Sequence, residues 1–140
     1  MTTIKGGELL AKSLRSEGAE CIFGMPWGAG APYIATAIDL GVRWMNVRDE
    51  KCAALMATAY SKVSGSTGLC STHAAGAAHL ALGLYEAYLS GNPVIAVTSS
   101  WDPAVTWRPG VGHLRPEETL RPVTKWSVQV RDLASIPEVV

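Results

Sequence analysis

Charge is sparse in this chain and evenly split. Lys and Arg number 12 and Asp and Glu 12 among 140 residues, 17% in all. Such a balance supplies no basic field to hold nucleic acid or an anionic membrane surface. No apolar run approaches the roughly 20 residues that cross a bilayer, and the N-terminus, MTTIKGGELL, lacks the apolar core of a secretory signal. These absences predict a cytoplasmic protein with no nucleic-acid or membrane partner. Cysteine is scarce: Cys21, Cys52 and Cys70 are odd in number, widely spaced and set in apolar stretches. That pattern suits reduced, buried thiols better than disulfides or a metal site. A G-x-x-x-x-G-K-[ST] phosphate loop and a G-x-S-x-G elbow are both missing. Gly24, Gly28 and Gly30 do not match the dinucleotide fingerprint, and His73, His79 and His113 lack metal-ligand spacing. No metal is assigned to residues of this chain.

What is present is apolar and glycine-rich: 48% hydrophobic residues and 14 glycines. Disorder is excluded, because a chain with so little charge cannot stay solvated. It is also more apolar than an ordinary soluble domain, so it is either buried in a larger assembly or covered on one face by a partner. The length is that of one domain with one sizeable core.

Helix and strand patterns alternate. Glu8 to Glu17 has helical spacing and stops at Gly18, a natural left-handed cap. Cys21 to Phe23 reads as a short buried strand, Pro32 to Leu40 as a helix with Gly41 beyond its end, and Val42 to Val47 as a strand. From Lys51 to Ser64, Ala53, Met56, Ala57 and Tyr60 form a narrow stripe of a helix that packs very close to its neighbour. Leu69 to Thr72 is a strand. Gly76 to Ser90 is a helix with Leu80, Leu84, Ala87 and Tyr88 on its inner face, and Val94 to Thr98 resembles a central parallel strand. The order αβαβαβαβ predicts an α/β domain of three layers, with a mostly parallel sheet between two layers of helices.

Residues 101 to 120 break this pattern with Trp101, Trp107, Pro103, Pro109 and Pro116, and predict a long loop. Its tryptophans are either interface anchors or packed on the domain's own surface. Ser135-Ile-Pro-Glu138 reads as a capping box that announces a helix, yet Val140 follows within half a turn, so a domain truncated in its last helix is expected.

Ligands of parallel α/β sheets bind beyond the carboxyl ends of the strands. The junctions there are Gly24-Met-Pro-Trp-Gly28, Arg48-Asp-Glu50, His73-Ala-Ala-Gly76 and Ser99-Ser-Trp101. By spacing alone, Asp49 and Glu50 are helix caps or catalytic carboxylates, with capping favoured. His73 either donates to a ligand or caps its turn.

In order and interval, a set of segments resembles the N-terminal pyrimidine-binding domain of thiamine diphosphate-dependent enzymes, the group of acetohydroxyacid synthase and benzoylformate decarboxylase. The segments are Gly6-Gly-Glu-Leu-Leu10, Ile22-Phe-Gly-Met-Pro26, Val47-Arg-Asp-Glu50 with Ala53-Ala54 and Ala59-Tyr60, Gly76-Ala77, Ala87-Tyr-Leu89, Pro93-Val94 and Arg121-Pro-Val-Thr-Lys-Trp-Ser127. The resemblance covers essentially the whole chain and implies the thiamine diphosphate-binding fold over residues 1–140.

It also implies roles. Glu50 matches the glutamate whose carboxyl group hydrogen-bonds N1′ of the aminopyrimidine and activates the cofactor to its ylide by proton relay. The cofactor pocket would draw on Pro26, Gly76 and His73 beside Glu50. Trp27, where the family has glycine, would narrow that pocket. The histidine of benzoylformate decarboxylase-like members falls at Thr72, and the Phe-Gln pair of acetohydroxyacid synthases would fall near Val111-Gly112, where it is absent.

The family's Mg²⁺ and diphosphate are held by a second domain bearing Gly-Asp-Gly and, downstream, Asn-Asn, and neither motif occurs here. The resemblance therefore implies half a site: the pyrimidine-binding portion of a 2-oxo acid decarboxylase or acetolactate synthase-like carboligase, inactive as this chain alone. It would work in a homodimer or homotetramer with a diphosphate-binding domain. The competing possibilities are a catalytically silent scaffold domain and one subunit of a split enzyme.

Overall fold

The computed structural model describes residues 4–100, 110 and 113–140. Four parallel strands, β1 (Cys21–Gly24), β2 (Arg43–Asn46), β3 (Gly68–Thr72) and β4 (Val94–Thr98), form one sheet in the order β2-β1-β3-β4. Helices α1 (Gly6–Ser16) and α2 (Ala31–Asp39) pack on one face. Helices α3 (Glu50–Ser64) and α4 (Ala77–Ser90) pack on the other. This is the expected three-layer α/β architecture.

Alternation along the central strands builds the two cores. On β3, Leu69 joins Ile22, Leu14, Ala11, Tyr33 and Ala37 on the α1/α2 side. Its neighbour Cys70 joins Ala53, Ala57, Leu80 and Leu84 on the α3/α4 side. Every residue of β3 is buried, as two-sided coverage of a parallel strand requires. The elements end where glycine allows a reversal: Gly18, Gly41, Gly65 and Gly91 all have positive φ.

Several expectations are corrected. β4 lies at the end of the sheet among the described residues and is only partly covered, while β3 takes the central place. The inward face of α3 is Ala53, Ala54, Ala57, Thr58 and Ser61, whereas Met56 is exposed. The inward face of α4 is Leu80, Gly83, Leu84 and Ala87, with Tyr88 exposed. Both rotations have one cause, the close approach of the two helices at Gly83. A Cβ there would come within 2.5 Å of Ala54 Cβ and 2.8 Å of the Leu55 nitrogen. Across the same contact Thr58 Oγ1 donates to Gly83 O at 3.3 Å.

Within the segment expected to be a loop, Pro116–Thr119 forms a short helix, α5, and Leu120 is buried in the α3/α4 core. Trp101, Trp107, Pro103, Pro109, Val111 and Gly112 lie outside the described residues. Near the C-terminus the cap falls to Asp132, whose side chain accepts from Ala134 N at 3.2 Å and opens a 3-10 turn ahead of α6 (Ile136–Val139). Ser135 is already helical there, and its hydroxyl donates to Asp132 O, so no capping box forms. Among the described residues, no helix is long and apolar enough to cross a membrane.

Candidate functional site

The chain leaves β1 for β2 on one side and returns through α3 to place β3 on the other side of β1. Strand order therefore reverses between β1 and β3, and the carboxyl edge beside such a reversal is where open α/β sheets bind ligands. Glu50 lies there as the first residue of α3, and its residue is 7% exposed.

The two acidic residues of Arg48-Asp-Glu50 are placed differently. Asp49 is the N-cap of α3, its Oδ1 accepting from Lys51 N at 2.8 Å. Glu50 makes no cap bond. Its carboxylate turns into the fold toward β3 and the turn that follows. Thr72 Oγ1 donates to Oε1 at 3.4 Å, near the limit of a hydrogen bond, and His79 Nδ1 lies 3.0 Å from Oε2. Gly76 makes the space: a Cβ there would stand 2.7 Å from Glu50 Oε1 and would also strike the Thr72 side chain.

The turn carrying Gly76 is held by donors that do not reach Glu50. His73 caps the 3-10 turn Ala74–Gly76, its Nδ1 accepting from Ala75 N at 3.1 Å. The ring proton is thereby placed on Nε2. Ser99 Oγ, after β4, accepts from Ala74 N at 3.0 Å. Of the two options for His73, the structure supplies the cap.

Of the residues expected at the site, Glu50 and Gly76 meet, and His73 closes the same turn. Pro26 is exposed beyond β1 and makes no described polar contact with the cluster. Trp27 packs on Gly30 and on Tyr33, with ring centroids 6.2 Å apart, as part of the α1/α2 core. Thr72 and His79 are the contacts of Glu50 that sequence reasoning missed. Thr72 had been noted only as the position of another group's histidine and His79 only as lacking metal-ligand spacing, and nothing in a linear separation of 22 or 29 residues marks them as neighbours of Glu50.

Outside the carboxylate lies an open depression of about 270 Å³ lined by Asp49, Lys51 and His79. Asp49, Glu50 and His79 bring one ligand-capable atom each within 4.8 Å of one another. Asp49, however, spends its oxygens on the α3 cap and on Lys51 Nζ at 3.8 Å, and that ammonium already supplies the local cation. Asp49, Lys51 and His79 form a polar rim beside Glu50.

The Glu50 carboxylate is buried beside this depression, and the glycine next to it keeps the space free of a side chain. The cysteines are bystanders. All three are free, and burial pushes the Cys70 thiol up to about 12.

Comparison with known proteins agrees. The profile of the thiamine pyrophosphate enzyme N-terminal TPP binding domain matches residues 4–110. The chain is 32% identical over 136 residues to a probable acetolactate synthase large subunit of Methanocaldococcus jannaschii, covering 96% of this chain and 23% of that protein. It is 34% identical over 138 residues to an acetolactate synthase of Bacillus subtilis, covering 97% and 24% respectively. A chloroplastic acetolactate synthase of Arabidopsis thaliana is 28% identical over 138 residues, 97% of this chain and 21% of that one. The chain thus spans about a quarter of the length of the curated relatives it matches.

Proposed function

The chain belongs to the thiamine pyrophosphate enzyme family as an N-terminal TPP-binding domain, and from that premise we propose that residues 1–140 form the pyrimidine-binding half of an acetolactate synthase-like enzyme. In it, Glu50 is the group that shares a proton with the cofactor's aminopyrimidine. The observation that carries this is the state of the Glu50 carboxylate. It is buried, is released from capping by Asp49, and has one long hydrogen bond from Thr72 inside and the exposed His79, which lines an open depression, at its other oxygen.

Thiamine diphosphate, when bound, supplies a thiazolium carbon that acts as nucleophile toward the carbonyl of a 2-oxo acid. This chain's part is to hold and move the proton at Glu50. Asp49 fixes the start of α3, and so the origin of the Glu50 side chain. Thr72 steadies Oε1, and Gly76 lets the carboxylate lie against the turn without a clash.

The depression beside Glu50 is open and, at about 270 Å³, falls below the roughly 300–1,000 Å³ of self-sufficient ligand pockets. That supports a site completed by a second domain, which would hold the diphosphate through Mg²⁺. Leu82, Tyr85 and Leu89 recur at helical spacing on the exposed side of α4, with Met56 exposed on α3. This apolar surface supports assembly with such a domain in a homodimer or homotetramer. By itself the chain is then catalytically silent. Its free thiols, two of them buried, suit a reducing cytoplasm.

The test is Glu50→Gln in the protein assembled with its diphosphate-binding domain. General acid–base groups contribute about 10²- to 10⁴-fold, so turnover and exchange of the cofactor's C2 proton should fall by that order while the fold is kept. Unchanged exchange would refute the role of Glu50.

A further inference from the structure

The two oxygens of the Glu50 carboxylate have different surroundings. Oε1 faces the interior, held by Thr72 at 3.4 Å and backed by Gly76. Oε2 is at the mouth, 3.0 Å from His79 Nδ1. The side chains themselves are graded, Glu50 at 10% exposure and His79 at 67%. A group entering from the depression therefore meets the imidazole before it meets the carboxylate. We propose that His79 is a positioning residue that gates Glu50: its imidazole holds the outward carboxylate oxygen in the cofactor-free protein and must release it before an aminopyrimidine can bind there. This inference rests on the reading of Glu50 as the proton-sharing group.

The gate has a sense set by charge. A neutral imidazole makes one ordinary hydrogen bond with the carboxyl group, which an incoming ring nitrogen can replace. An imidazolium makes a charge-assisted bond of roughly twice the strength, and it holds Glu50 as the anion, which has no proton to share. Protonation of the imidazole therefore closes the gate, and its loss opens it.

The other ionisable groups near His79 come from the elements packed on α4. Asp49 and Lys51 of α3 line the same depression as a pair of opposite sign, 3.8 Å apart. The 3-10 turn before α4 contributes His73, which is engaged with Ala75. α5 brings Glu117 and Glu118, the latter paired with Arg115 at 2.8 Å, and the following turn brings Arg121. β4 carries no ionisable side chain. Glu50 is the closest of these partners, at hydrogen-bond distance.

The experiment is calorimetric titration of thiamine diphosphate with Mg²⁺ into the protein assembled with its diphosphate-binding domain, from pH 8 to pH 5.5. It is run on the unmodified protein and on His79→Asn and Glu50→Gln, with C2-proton exchange of the bound cofactor measured in parallel. His79→Asn keeps a hydrogen-bonding side chain without a titrating charge, on an exposed position of α4. In the unmodified protein the Kd should weaken with acid, by up to about tenfold per pH unit where one proton competes. His79→Asn should remove most of that dependence and bind more tightly at pH 6, and the His79 ring nitrogens should shift in ¹⁵N NMR on cofactor addition.

A His79→Asn profile that parallels the unmodified one, or that is weaker at every pH, overturns the gate. If Glu50→Gln still slows C2 exchange in that case, the gate alone has failed. If Glu50→Gln exchanges normally, the Glu50 reading has failed and the gate falls with it.

Discussion

Substituting Gly76 by alanine separates two opposing effects at the position that makes room for Glu50. The backbone of Gly76 is ordinary right-handed helix, φ −68° and ψ −14°. Alanine adopts that conformation freely, and the change should stabilise the fold by about 0.4–1 kcal/mol by restricting the unfolded chain. Against this, the new methyl would strike Thr72 Oγ1, stand 2.7 Å from Glu50 Oε1 and stand 2.9 Å from Thr72 Cγ2. Thr72 is fully buried in the fully buried strand β3 and cannot retreat. Only the Glu50 carboxylate can give way, and it can do so only toward His79. Overpacking of this kind costs about 1–3 kcal/mol, so the net loss should be about 1–2 kcal/mol in urea unfolding, with weakened binding of thiamine diphosphate. Gly28→Ala is the internal control. It has no positive φ, and a Cβ would meet nothing within 4 Å, so only the stabilising effect applies. If Gly76→Ala is as stable as Gly28→Ala and binds cofactor normally, the space under the carboxylate is not set by this glycine.

Other expectations follow from the packing. Gly83→Leu should force α3 and α4 apart, since even a Cβ would approach the Leu55 nitrogen to 2.8 Å, and urea unfolding should register a loss at or above the usual overpacking cost of about 1–3 kcal/mol. Native-state alkylation at pH 8 followed by mass spectrometry should label the half-buried Cys52 first and leave Cys70, with its thiol pushed up to about 12, unmodified until unfolding. The Tyr33 hydroxyl is buried without a hydrogen-bond partner, Ser71 nearby donating instead to Val97 O at 3.1 Å, and burial raises its pKa. A raised folded-state pKa gives stability that is present below the unfolded value of about 10 and lost as pH rises beyond it. Tyr33→Phe should therefore leave the protein at least as stable at pH 7 and flatten the alkaline fall seen in thermal melts between pH 9 and 11.

What was legible in the sequence was local. The helix and strand runs, and the glycines that end them, are written into neighbouring residues, and the positive φ at Gly18, Gly41, Gly65 and Gly91 follows from reversals a short chain must make. The inward faces of α3 and α4 were not legible. Alanine is scattered around much of α3, so periodicity leaves the orientation open, and the decision falls to one glycine on another helix, Gly83. The place of β4 at the end of the sheet among the described residues was equally hidden, because an apolar run looks the same in either place. At the site, spacing located the junction carrying Glu50 but favoured a cap, and the family resemblance reversed that preference. The structure shows why both residues of Asp49-Glu50 are acidic: the first is spent on the helix end, and the second is left over.

That division also explains how a buried acid can remain available. Backbone donors at the start of α3 and in the turn after β3 are committed to other acceptors. Lys51 N bonds Asp49, Ala75 N bonds His73, and Ala74 N bonds Ser99. None of these amides bonds Glu50. Instead it keeps one long bond from Thr72 and one partner, His79, that is itself open to solvent. On the proposed function, the incomplete satisfaction of Glu50 is what a proton-sharing group requires, and the residues that take its possible donors belong to the working site as much as those that touch the carboxylate.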